Sequence, residues 1–439
     1  MKTQRIVIVG GGFAGVPAAR KLERLLRTWP KVEIVLVSRA NFFVITPLLF
    51  EACSGTLELR HCAQPIRPAL GRTRFVEATV TSIDAARQVV HLSTEGPERE
   101  LAYDHLIVAL GSSTNLKLIP GSETAFTFKT MADALVLRNH FIEQLERADA
   151  TIDATLRRRC LTFVVIGGGL VGVELLGELT AFADNVLRFY PRIKRDELRF
   201  HLFEASPRIL PEIDLELTTI AMRVLTKRGA DIRASTPVRK IEADRVQIDG
   251  ETIDASTIIL AAGIVPSVAA SKIDVAHDAK GRISVDATMR STSHPSVWAL
   301  GDCASIPGPD GKPYPALAQH AVREARRVAR NVAAVVQGGE PKPFVFRTLG
   351  TMAALGNSEA VAEVMGFQLT GFIAWWFRRT YYLMQMPRWD RRLRIVLDWT
   401  IALFFRPDIT KVDLAVEHDQ VLLDSGQARS SRHLQESTA

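Results

Sequence analysis

The sequence contains the same glycine spacing twice, each time directly after a run of apolar residues. Residues 5–9 precede one G-x-G-x-x-G pattern, and residues 163–166 precede the other. In this pattern the first glycine permits a tight turn, the second lets the backbone approach a pyrophosphate, and the third lets helix and strand pack closely. The helix that follows points free N–H groups at the phosphates. Two dinucleotide sites are therefore predicted, at Gly10, Gly12 and Gly15 and at Gly167, Gly169 and Gly172.

Two dinucleotide sites in one chain favour two cofactors that exchange electrons. The economical pair is a tightly held flavin and a nicotinamide that binds and leaves. Such domains normally place an acidic residue at the end of the second strand for the ribose hydroxyls. Glu204 ends this strand in the second copy and favours NADH over NADPH, although Arg208 follows closely. The first copy has Ser38 and Arg39 there, which leaves a serine hydroxyl for the ribose.

Two later stretches end a buried strand in small residues. Residues 103–115 contain Ala109 and Gly111, and residues 255–267 contain Gly263. A turn of small residues lets the chain cross closely over a bound dinucleotide. We therefore expect both stretches to border the cofactors.

A third stretch, residues 296–307, predicts a contact with the flavin. It is a strand followed by Gly301 and Asp302 at the predicted start of a helix. The Asp302 carboxylate can accept hydrogen bonds from the hydroxyls of a flavin's ribityl chain. An ordinary helix N-cap is the structural alternative for the same residue.

The composition indicates a globular chain with more than one domain. A chain of 439 residues, 47% hydrophobic and 23% charged, predicts two or three domains. We expect neither a signal sequence nor a spanning helix, because no uninterrupted apolar run reaches about 18 residues.

No C-x-x-C pair occurs, which favours a reduced compartment and argues against a thiol relay beside a flavin. No metal site is predicted. The cysteines are Cys53, Cys62, Cys160 and Cys303.

Together these motifs resemble those of type II NADH dehydrogenases, the single-subunit, non-proton-pumping NADH:quinone oxidoreductases of the two-dinucleotide-binding-domain flavoprotein superfamily. The resemblance covers residues 4–410. It implies that the first fingerprint, which includes Ala14, binds FAD tightly and non-covalently, and that the second binds NADH. The matching stretches are residues 41–55, 167–179, 203–214, 298–304, 314–332 and 346–376.

The resemblance also implies roles for individual residues. Thr46 and Pro47 would lie against the flavin, and Ala318 and Gln319 would lie between the flavin ring and a quinone. Family members often have a second glutamine at the position of Arg323.

Glu174 is expected near the point where nicotinamide meets flavin. It would orient the nicotinamide or handle protons. The structural alternative is a glutamate placed near a helix N-terminus because the helix dipole favours it there.

Residues 366–406 predict two amphipathic helices on a membrane surface. Apolar aromatic stripes flanked by arginines are typical of helices that lie in the interface, and the net charge of +7 suits anionic lipid. Packing onto the protein's own core or a dimer partner is the alternative. Nucleic acid is disfavoured, because the basic residues alternate with buried-type aromatics. The stripes are Phe372, Trp375, Trp376, Leu383 and Met386, then Leu393, Val396, Leu397, Ile401 and Phe404, with Arg378, Arg379, Arg388, Arg391, Arg392 and Arg394 between.

The predicted fold class is α/β, with two Rossmann-like domains, the second inserted in the first, and a C-terminal amphipathic helical region that faces the membrane. Residues 74–92 are expected to add antiparallel strands. The predicted parts are an FAD domain (1–115 and 285–345), an NADH domain (116–284), a membrane-associating region (346–420) and a disordered tail (421–439).

The functional hypothesis is hydride transfer from NADH to FAD, then transfer of two electrons to a membrane quinone without proton pumping. The protein would be peripheral, at the cytoplasmic face of the membrane, and a homodimer is compatible with the resemblance. Two alternatives are a sulfide:quinone oxidoreductase and a non-catalytic NADH-sensing flavoprotein. The intact second fingerprint and Glu204 argue against the first, and steady turnover with a quinone would exclude the second.

Overall fold

The computed structural model describes residues 3–94, 98–386, 389–405 and 408–412. Its first domain is built on five parallel strands whose β-branched runs are buried, as in sheets covered on both faces. Helix α1 (Gly15–Leu25) follows the central strand, and α2 (Leu49–Cys53) lies further along the chain. The strand order is Val297–Ala299, His105–Val108, Gln4–Val9, Val32–Ser38 and Arg74–Glu77.

The prediction for residues 74–92 is wrong at its start. Arg74–Glu77 pairs in parallel with Val32–Ser38 and so belongs to the main sheet. The antiparallel sheet consists of Thr79–Asp84, Val89–Ser93 and Arg99–Ala102. A short antiparallel pair joins Phe42–Val44 to Ala63–Pro65.

The second domain repeats this plan, again with its glycine-rich loop after the central strand. Its strands run in parallel in the order Phe126–Thr127, Thr257–Leu260, Thr162–Ile166, Arg199–Phe203 and Ala230–Arg233. An antiparallel sheet adds Val238–Glu242, Arg245–Ile248 and Glu251–Asp254. The helices are α3 (Met131–Ala150), α4 (Ala154–Cys160), α5 (Leu170–Val186), α6 (Leu215–Lys227) and α7 (Val268–Ser271).

The chain passes between the two domains at one place. Ser112–Thr114, on the way out of the first domain, pairs antiparallel with Ile264–Pro266 on the way back. The returning chain forms the small parallel pair Ile283–Ser284 and Ala304–Ser305. It ends in α8 (Ala318–Val336), which packs beside α1 in the first domain. Short 3-10 helices occur at Thr46–Leu48, Leu59–Cys62, Arg67–Ala69, Ser122–Thr124, Leu187–Phe189, Arg195–Glu197 and Gly301–Cys303.

The C-terminal region begins with a sheet that the sequence prediction does not include. Gly350–Gly356, Glu359–Val364 and Phe367–Thr370 form an antiparallel meander. Helices α9 (Gly371–Gln385) and α10 (Trp389–Phe404) follow, and α9 packs on this sheet. In the part of the chain that the structure describes, no helix has the length and apolar character needed to cross a bilayer. The predicted tail, residues 421–439, lies outside the described residues.

The strand Gly350–Gly356 packs on α5 of the second domain without a side chain in between. A Cβ at Gly177 would lie 2.6 Å from the carbonyl carbon of Leu355, and one at Gly356 would lie 2.2 Å from the carbonyl oxygen of Gly177. Arg228, at the end of α6, donates to the Leu355 carbonyl and pairs with Glu359. Backbone therefore contacts backbone between these two domains.

The residues of the predicted apolar stripe are exposed on α10, but only some of them are exposed on α9. Leu393, Val396, Leu397, Ile401 and Phe404 are exposed, as are Phe372 and Trp376. Trp375 and Met386 are buried instead, because α9 packs its inner face on the sheet. Arg378 and Arg379 are buried too, since their ion-pair partners lie inside the protein. Arg388 lies outside the described residues.

Candidate functional site

The first glycine loop forms a cradle that side chains would fill. Gly10 has φ +105°, and a Cβ there would lie 2.2 Å from the carbonyl oxygen of Ala109. A Cβ at Gly15 would lie 1.8 Å from the carbonyl oxygen of Gly10, so the third glycine is fixed by close packing. Gly12 faces open space, with no atom within 4 Å of a Cβ. This is the shape that a pyrophosphate needs for close approach to the backbone.

The second loop has the same geometry. Gly167 has φ +112°, and a Cβ there would lie 2.8 Å from the Cβ of Ala262. A Cβ at Gly172 would lie 1.9 Å from the carbonyl oxygen of Gly167, while Gly169 faces open space. The chain thus carries two cradles of one kind, and the residues present fit two dinucleotides.

The helices after both loops leave their first N–H groups available. Helix α1 has Ala14 at its N-cap and α5 has Gly169, and neither cap residue offers a side-chain hydrogen bond. Neither helix has an acidic residue in its first turn. Uncapped N–H groups and the positive end of the helix dipole favour an anion at each position.

The ribose positions differ between the two cradles. Glu204 accepts hydrogen bonds from the N–H groups of Gly168 and Ser206, both at 2.6 Å, so its carboxylate lies beside the second loop. Arg208 donates to the carbonyls of Pro211 and Ile213 in its own loop. The Arg208 guanidinium is therefore engaged within its own loop.

In the first cradle, Ser38 occupies the corresponding place. A Cβ at Gly11 would lie 2.6 Å from the Ser38 Oγ, so this hydroxyl lies against the loop. Arg39 is exposed. The crossing points at Gly111 and Gly263 have φ +65° and +69°, which favours glycine.

Asp302 lies in a single 3-10 turn, Gly301–Cys303. The prediction that Gly301 and Asp302 begin a helix is wrong, because only this 3-10 turn forms here and α8 begins at Ala318. The Oδ2 of Asp302 accepts a hydrogen bond of 2.6 Å from the Ser112 hydroxyl, and Lys129 Nζ lies 2.6 Å from the same hydroxyl. Burial lowers the pKa of Lys129, and the nearby Asp302 charge opposes this shift. Sequence reasoning missed both partners of Asp302.

Arg323 lies in the first turns of α8, at the position where the resemblance implies a second glutamine. Arg323 donates to the Gln319 carbonyl at 2.9 Å and lies over the ring of Phe346. The next residue, Glu324, is buried and accepts a hydrogen bond of 2.8 Å from the Gly301 N–H. Burial raises the pKa of Glu324 to about 7. A second carboxyl group thus stands beside Asp302.

The two predicted catalytic side chains, Gln319 and Glu174, contact one strand at different points. Gln319 Nε2 donates to the Gly350 carbonyl at 2.9 Å, and Glu174 Oε1 accepts from the Ala354 N–H at 2.8 Å. Four residues of an extended strand separate these contacts by about 13 Å. The structure therefore does not bring the two side chains together.

Glu174 is one of five buried charged side chains that we call the ion cluster, formed by Glu51, Glu174, Glu178, Arg378 and Arg379. Arg378 Nη2 lies 2.8 Å from Glu174 Oε1, and Arg379 Nη2 lies 3.1 Å from Glu51 Oε2. The cluster joins α2 of the first domain, α5 of the second and α9 of the C-terminal region. Glu174 is thus one partner of a buried ion pair. The structural alternative, a glutamate that the helix dipole favours near a helix N-terminus, does not account for this contact.

The ion cluster extends to both neighbouring parts of the site. Arg378 Nη2 also donates to the Pro47 carbonyl at 3.0 Å, in the 3-10 turn Thr46–Leu48. Trp399 of α10 donates its indole N–H to Glu51 at 2.7 Å, and the Arg379 guanidinium lies between the rings of Trp375 and Trp399. The cluster therefore links the segment predicted to face the flavin with the two C-terminal helices.

Sequence reasoning could have found the three carboxyl groups of the ion cluster. Glu178 follows Glu174 by four residues, so both lie on one face of α5. Glu51 lies in a stretch already singled out for its resemblance. The local sequence did not reveal that Arg378 and Arg379 point inward, because their partners are far away in the chain.

A cavity of about 660 Å³ opens where the three parts of the chain meet. Glu212 comes from the second domain, Leu317 from the first and Leu349 from the C-terminal region. Charged and hydroxyl side chains form much of its wall, including Arg347, Thr348, Thr351 and Glu363. The carbonyl of Gly350, another wall residue, is the one that accepts from Gln319.

All four cysteines are buried and free. Burial raises the pKa of Cys53 and Cys303 to about 12 and raises that of Cys62 as well. The raised pKa values of Cys53, Cys62 and Cys303 favour the protonated thiol, which is typical of packing cysteines. Within the described ranges, no group of three or more histidine, cysteine or acidic side chains is placed to hold a metal ion.

Two cradles of this kind in one chain define the class of pyridine nucleotide oxidoreductases. The family described as "Pyridine nucleotide-disulphide oxidoreductase" matches residues 4–325, and "NDH2 C-terminal domain" matches residues 349–408. The chain belongs to this oxidoreductase family and, within it, to the type II NADH dehydrogenases.

Similar proteins agree in length as well as in sequence. A probable NADH dehydrogenase of Dictyostelium discoideum is 30% identical over 421 residues, which are 93% of this chain and 92% of that protein. The type II NADH:quinone oxidoreductase Ndh of Mycobacterium tuberculosis is 29% identical over 91% of this chain and 88% of its own. The solved structure of NDH2 from Plasmodium falciparum in complex with NADH has a TM-score of 0.85 at 20% identity and covers 93% of this chain and 100% of that one. The similarity to the Plasmodium falciparum structure concerns the fold alone.

Proposed function

We propose that this chain oxidises NADH and passes the electrons through FAD to a quinone, without pumping protons. The observation that carries this proposal is the pair of glycine cradles, each beside an uncapped helix. One nucleotide pocket would suit a simple dehydrogenase, whereas two suit an electron transfer between cofactors. The names of the relatives supply NADH and quinone as donor and acceptor.

In this proposal the first cradle holds FAD. The loop at Gly12 and the N-terminus of α1 bind its pyrophosphate, and Asp302, fixed by Ser112, accepts the ribityl hydroxyls. Bound FAD supplies the two-electron chemistry. Thr46, Pro47, Ala109 and Ala318 surround the ring.

The second cradle holds NADH, with Glu204 on the adenosine ribose. The wall of the 660 Å³ cavity has charged and hydroxyl groups that suit a water-soluble substrate better than a quinone. We infer that the nicotinamide end enters there. Glu174, anchored by Arg378 and the Ala354 N–H, would set the position of the nicotinamide.

Anaerobic titration of the purified yellow protein tests the proposal. NADH should bleach the flavin absorbance at far lower concentration than NADPH, because Glu204 repels a 2′-phosphate. A short-chain quinone should then restore the colour. If NADH leaves the flavin oxidised, the second cradle is not a hydride site. If NADH bleaches the flavin and no quinone restores it, the NADH-sensing alternative is favoured.

The sulfide:quinone alternative has less support. That chemistry needs reactive cysteines beside the flavin, whereas the cysteines here are buried and their raised pKa values keep Cys53, Cys62 and Cys303 protonated. Replacing Cys160 and Cys303 by serine should leave NADH oxidation intact.

The homodimer stays a prediction.

The outer faces of α9 and α10 support the proposal that the protein binds the membrane surface, at its cytoplasmic face. Their large apolar side chains are exposed in the part of the chain that the structure describes, which is the pattern of interfacial helices. A quinone dissolved in the bilayer would reach the protein from this side. The exposed residues are Phe372, Ile373, Trp376 and Met384 on α9, and Trp389, Leu393, Val396, Leu397, Ile401 and Phe404 on α10.

Replacing Leu393 and Leu397 by glutamate should abolish binding to anionic vesicles. Each leucine side chain contributes about 1.5–3 kcal/mol when fully buried in an apolar phase, and the two new charges add repulsion. Vesicle co-sedimentation measures the effect. Leu215→Glu is the matched control, because Leu215 is equally exposed but lies on α6 of the second domain. If the double variant still binds vesicles, α10 does not make the membrane contact.

A further inference from the structure

The ion cluster holds more acids than bases. It contains three carboxyl groups and two guanidinium groups, all buried. Arg138 of α3 pairs with Asp408 at 3.0 Å and is not within ion-pair distance of any of the three carboxyl groups. Tyr382 also borders Arg378, and burial raises its pKa to about 12, which keeps it neutral. A buried, unbalanced charge is costly, so one carboxyl group must carry a proton.

The contacts of the three carboxyl groups are unequal. Glu174 accepts from Arg378 at 2.8 Å and from the Ala354 N–H at 2.8 Å. Glu51 accepts from Arg379 at 3.1 and 3.2 Å and from the Trp399 indole at 2.7 Å. Both therefore have a cation and a second donor, which favour the ionised form.

Glu178 has no such partners. Its Oε2 lies 2.9 Å from the Ser54 Oγ, and neither guanidinium is within ion-pair distance of it. The Ser54 Oγ lies 3.2 Å from the Glu51 carbonyl oxygen, which can only accept. If Ser54 donates to that carbonyl, the bond to Glu178 is complete only when Glu178 donates a proton of its own.

We propose that Glu178 is the neutral carboxylic acid of the ion cluster, and that it acts as a positioning residue that keeps Glu174 ionised and paired with Arg378. The hydrogen bonds then run in one direction, from Glu178 to Ser54 and from Ser54 to the Glu51 carbonyl. Two carboxylates face two guanidinium groups, and the cluster is electrically neutral. The positioning role of Glu178 rests on the proposed function, whereas the place of the proton does not.

The surroundings of Glu178 agree with this assignment. Burial and then the charge of Glu51 raise the pKa of Glu178 to about 7, while Ser54, Arg379 and Arg378 act in the opposite direction. Burial also raises the pKa of Glu174, and Arg378 is the largest opposing influence there. Cys53 next to Ser54 is protonated, so it adds no charge. Once Glu178 ionises, a surplus negative charge stands one helical turn from Glu174.

Infrared spectroscopy of the FAD-loaded protein, without NADH or quinone, tests the location of the proton. At mildly acidic pH the carbonyl stretch of a protonated carboxyl group should shift in Glu178→Asp and keep its frequency in Glu174→Asp, because both variants retain three carboxyl groups. Glu324→Gln identifies the band of the other buried acid, whose pKa is also raised. A shifted band in Glu174→Asp, with an unchanged band in Glu178→Asp, would place the proton on Glu174 and overturn the proposal.

Thermal unfolding against pH gives an independent readout. A carboxyl group whose folded pKa lies above its unfolded value stabilises the fold at low pH, and this stabilisation is lost as pH rises through the folded pKa. The wild-type midpoint should therefore fall relative to Glu178→Gln as pH rises from about 4.5, the usual pKa of a glutamate, to about 7, the raised pKa of Glu178. Parallel curves for the two proteins would contradict a proton on Glu178. A failure of quinone turnover would leave both measurements unaffected.

Discussion

Replacing Arg378 by methionine is expected to cost about 3–5 kcal/mol of stability, because it leaves a buried carboxylate without its cation. Arg378 contacts Glu174 at 2.8 Å, Glu51 at 3.7 Å and the Pro47 carbonyl at 3.0 Å, and all of these atoms are removed from water. Methionine fills a similar volume, so packing is a smaller part of the loss. The measurement is the thermal unfolding midpoint of the FAD-loaded protein, together with its NADH oxidation rate.

Two further variants separate the buried ion pair from a general loss of charge. Arg394→Met also removes an arginine from the C-terminal helices, at an exposed position of α10, and should leave the midpoint nearly unchanged. Glu174→Gln combined with Arg378→Met should be less destabilised than Arg378→Met alone, since no carboxylate at 174 is left unpaired. Equal losses in Arg378→Met and Arg394→Met would contradict the role given to the ion cluster.

Gly172→Ala is expected to lower the rate of flavin reduction by NADH by about a hundredfold or more, while the protein stays yellow. A Cβ at this position would lie 1.9 Å from the carbonyl oxygen of Gly167, so the second loop must shift away from α5. The first cradle lies in another domain and should keep its FAD. Flavin content by absorbance and stopped-flow reduction by NADH measure the two effects separately.

The corresponding substitution in the first cradle, Gly15→Ala, should affect FAD binding instead of reduction by NADH. Its Cβ would lie 1.8 Å from the carbonyl oxygen of Gly10, so flavin content itself should fall. Gly339→Ala, where a Cβ meets its first atom at 3.4 Å, is the tolerated control. If Gly172→Ala also loses its flavin, the two cradles are not independent.

The glycine cradles could be predicted from the sequence because each is a local structure. Strand, turn and helix follow one another within about 20 residues, and the glycine spacing itself encodes the turn. Ser38 and Glu204 lie beside the two loops as predicted, because each stands at the end of the strand that pairs with the loop's own strand. Asp302 was expected at the start of a helix but lies in a single 3-10 turn. The sequence could not separate the two, since a 3-10 turn and a helix begin alike.

The C-terminal region was harder to predict because its partners are distant. Arg378 and Arg379 have the pattern of lipid-facing arginines, yet their carboxylates lie more than 200 residues earlier in the chain. The strand Gly350–Gly356 has one β-branched residue, Thr351, and no alternation of polar and apolar residues, so its sequence does not indicate a strand. By contrast, the outer stripe of α10 was predicted correctly, because an exposed face needs no partner.

The direct packing of Gly177 on Leu355 and Gly356 constrains how members of this family can diverge. A domain joined by side chains can be recombined between relatives, because rotamers adjust to a foreign surface. Here backbone meets backbone, and Arg228 further fixes the register through Leu355 and Glu359. A chimera that takes residues 349–408 from one parent should therefore also inherit α5 and α6 from it. We expect the membrane-binding part and the NADH domain to have evolved as one unit.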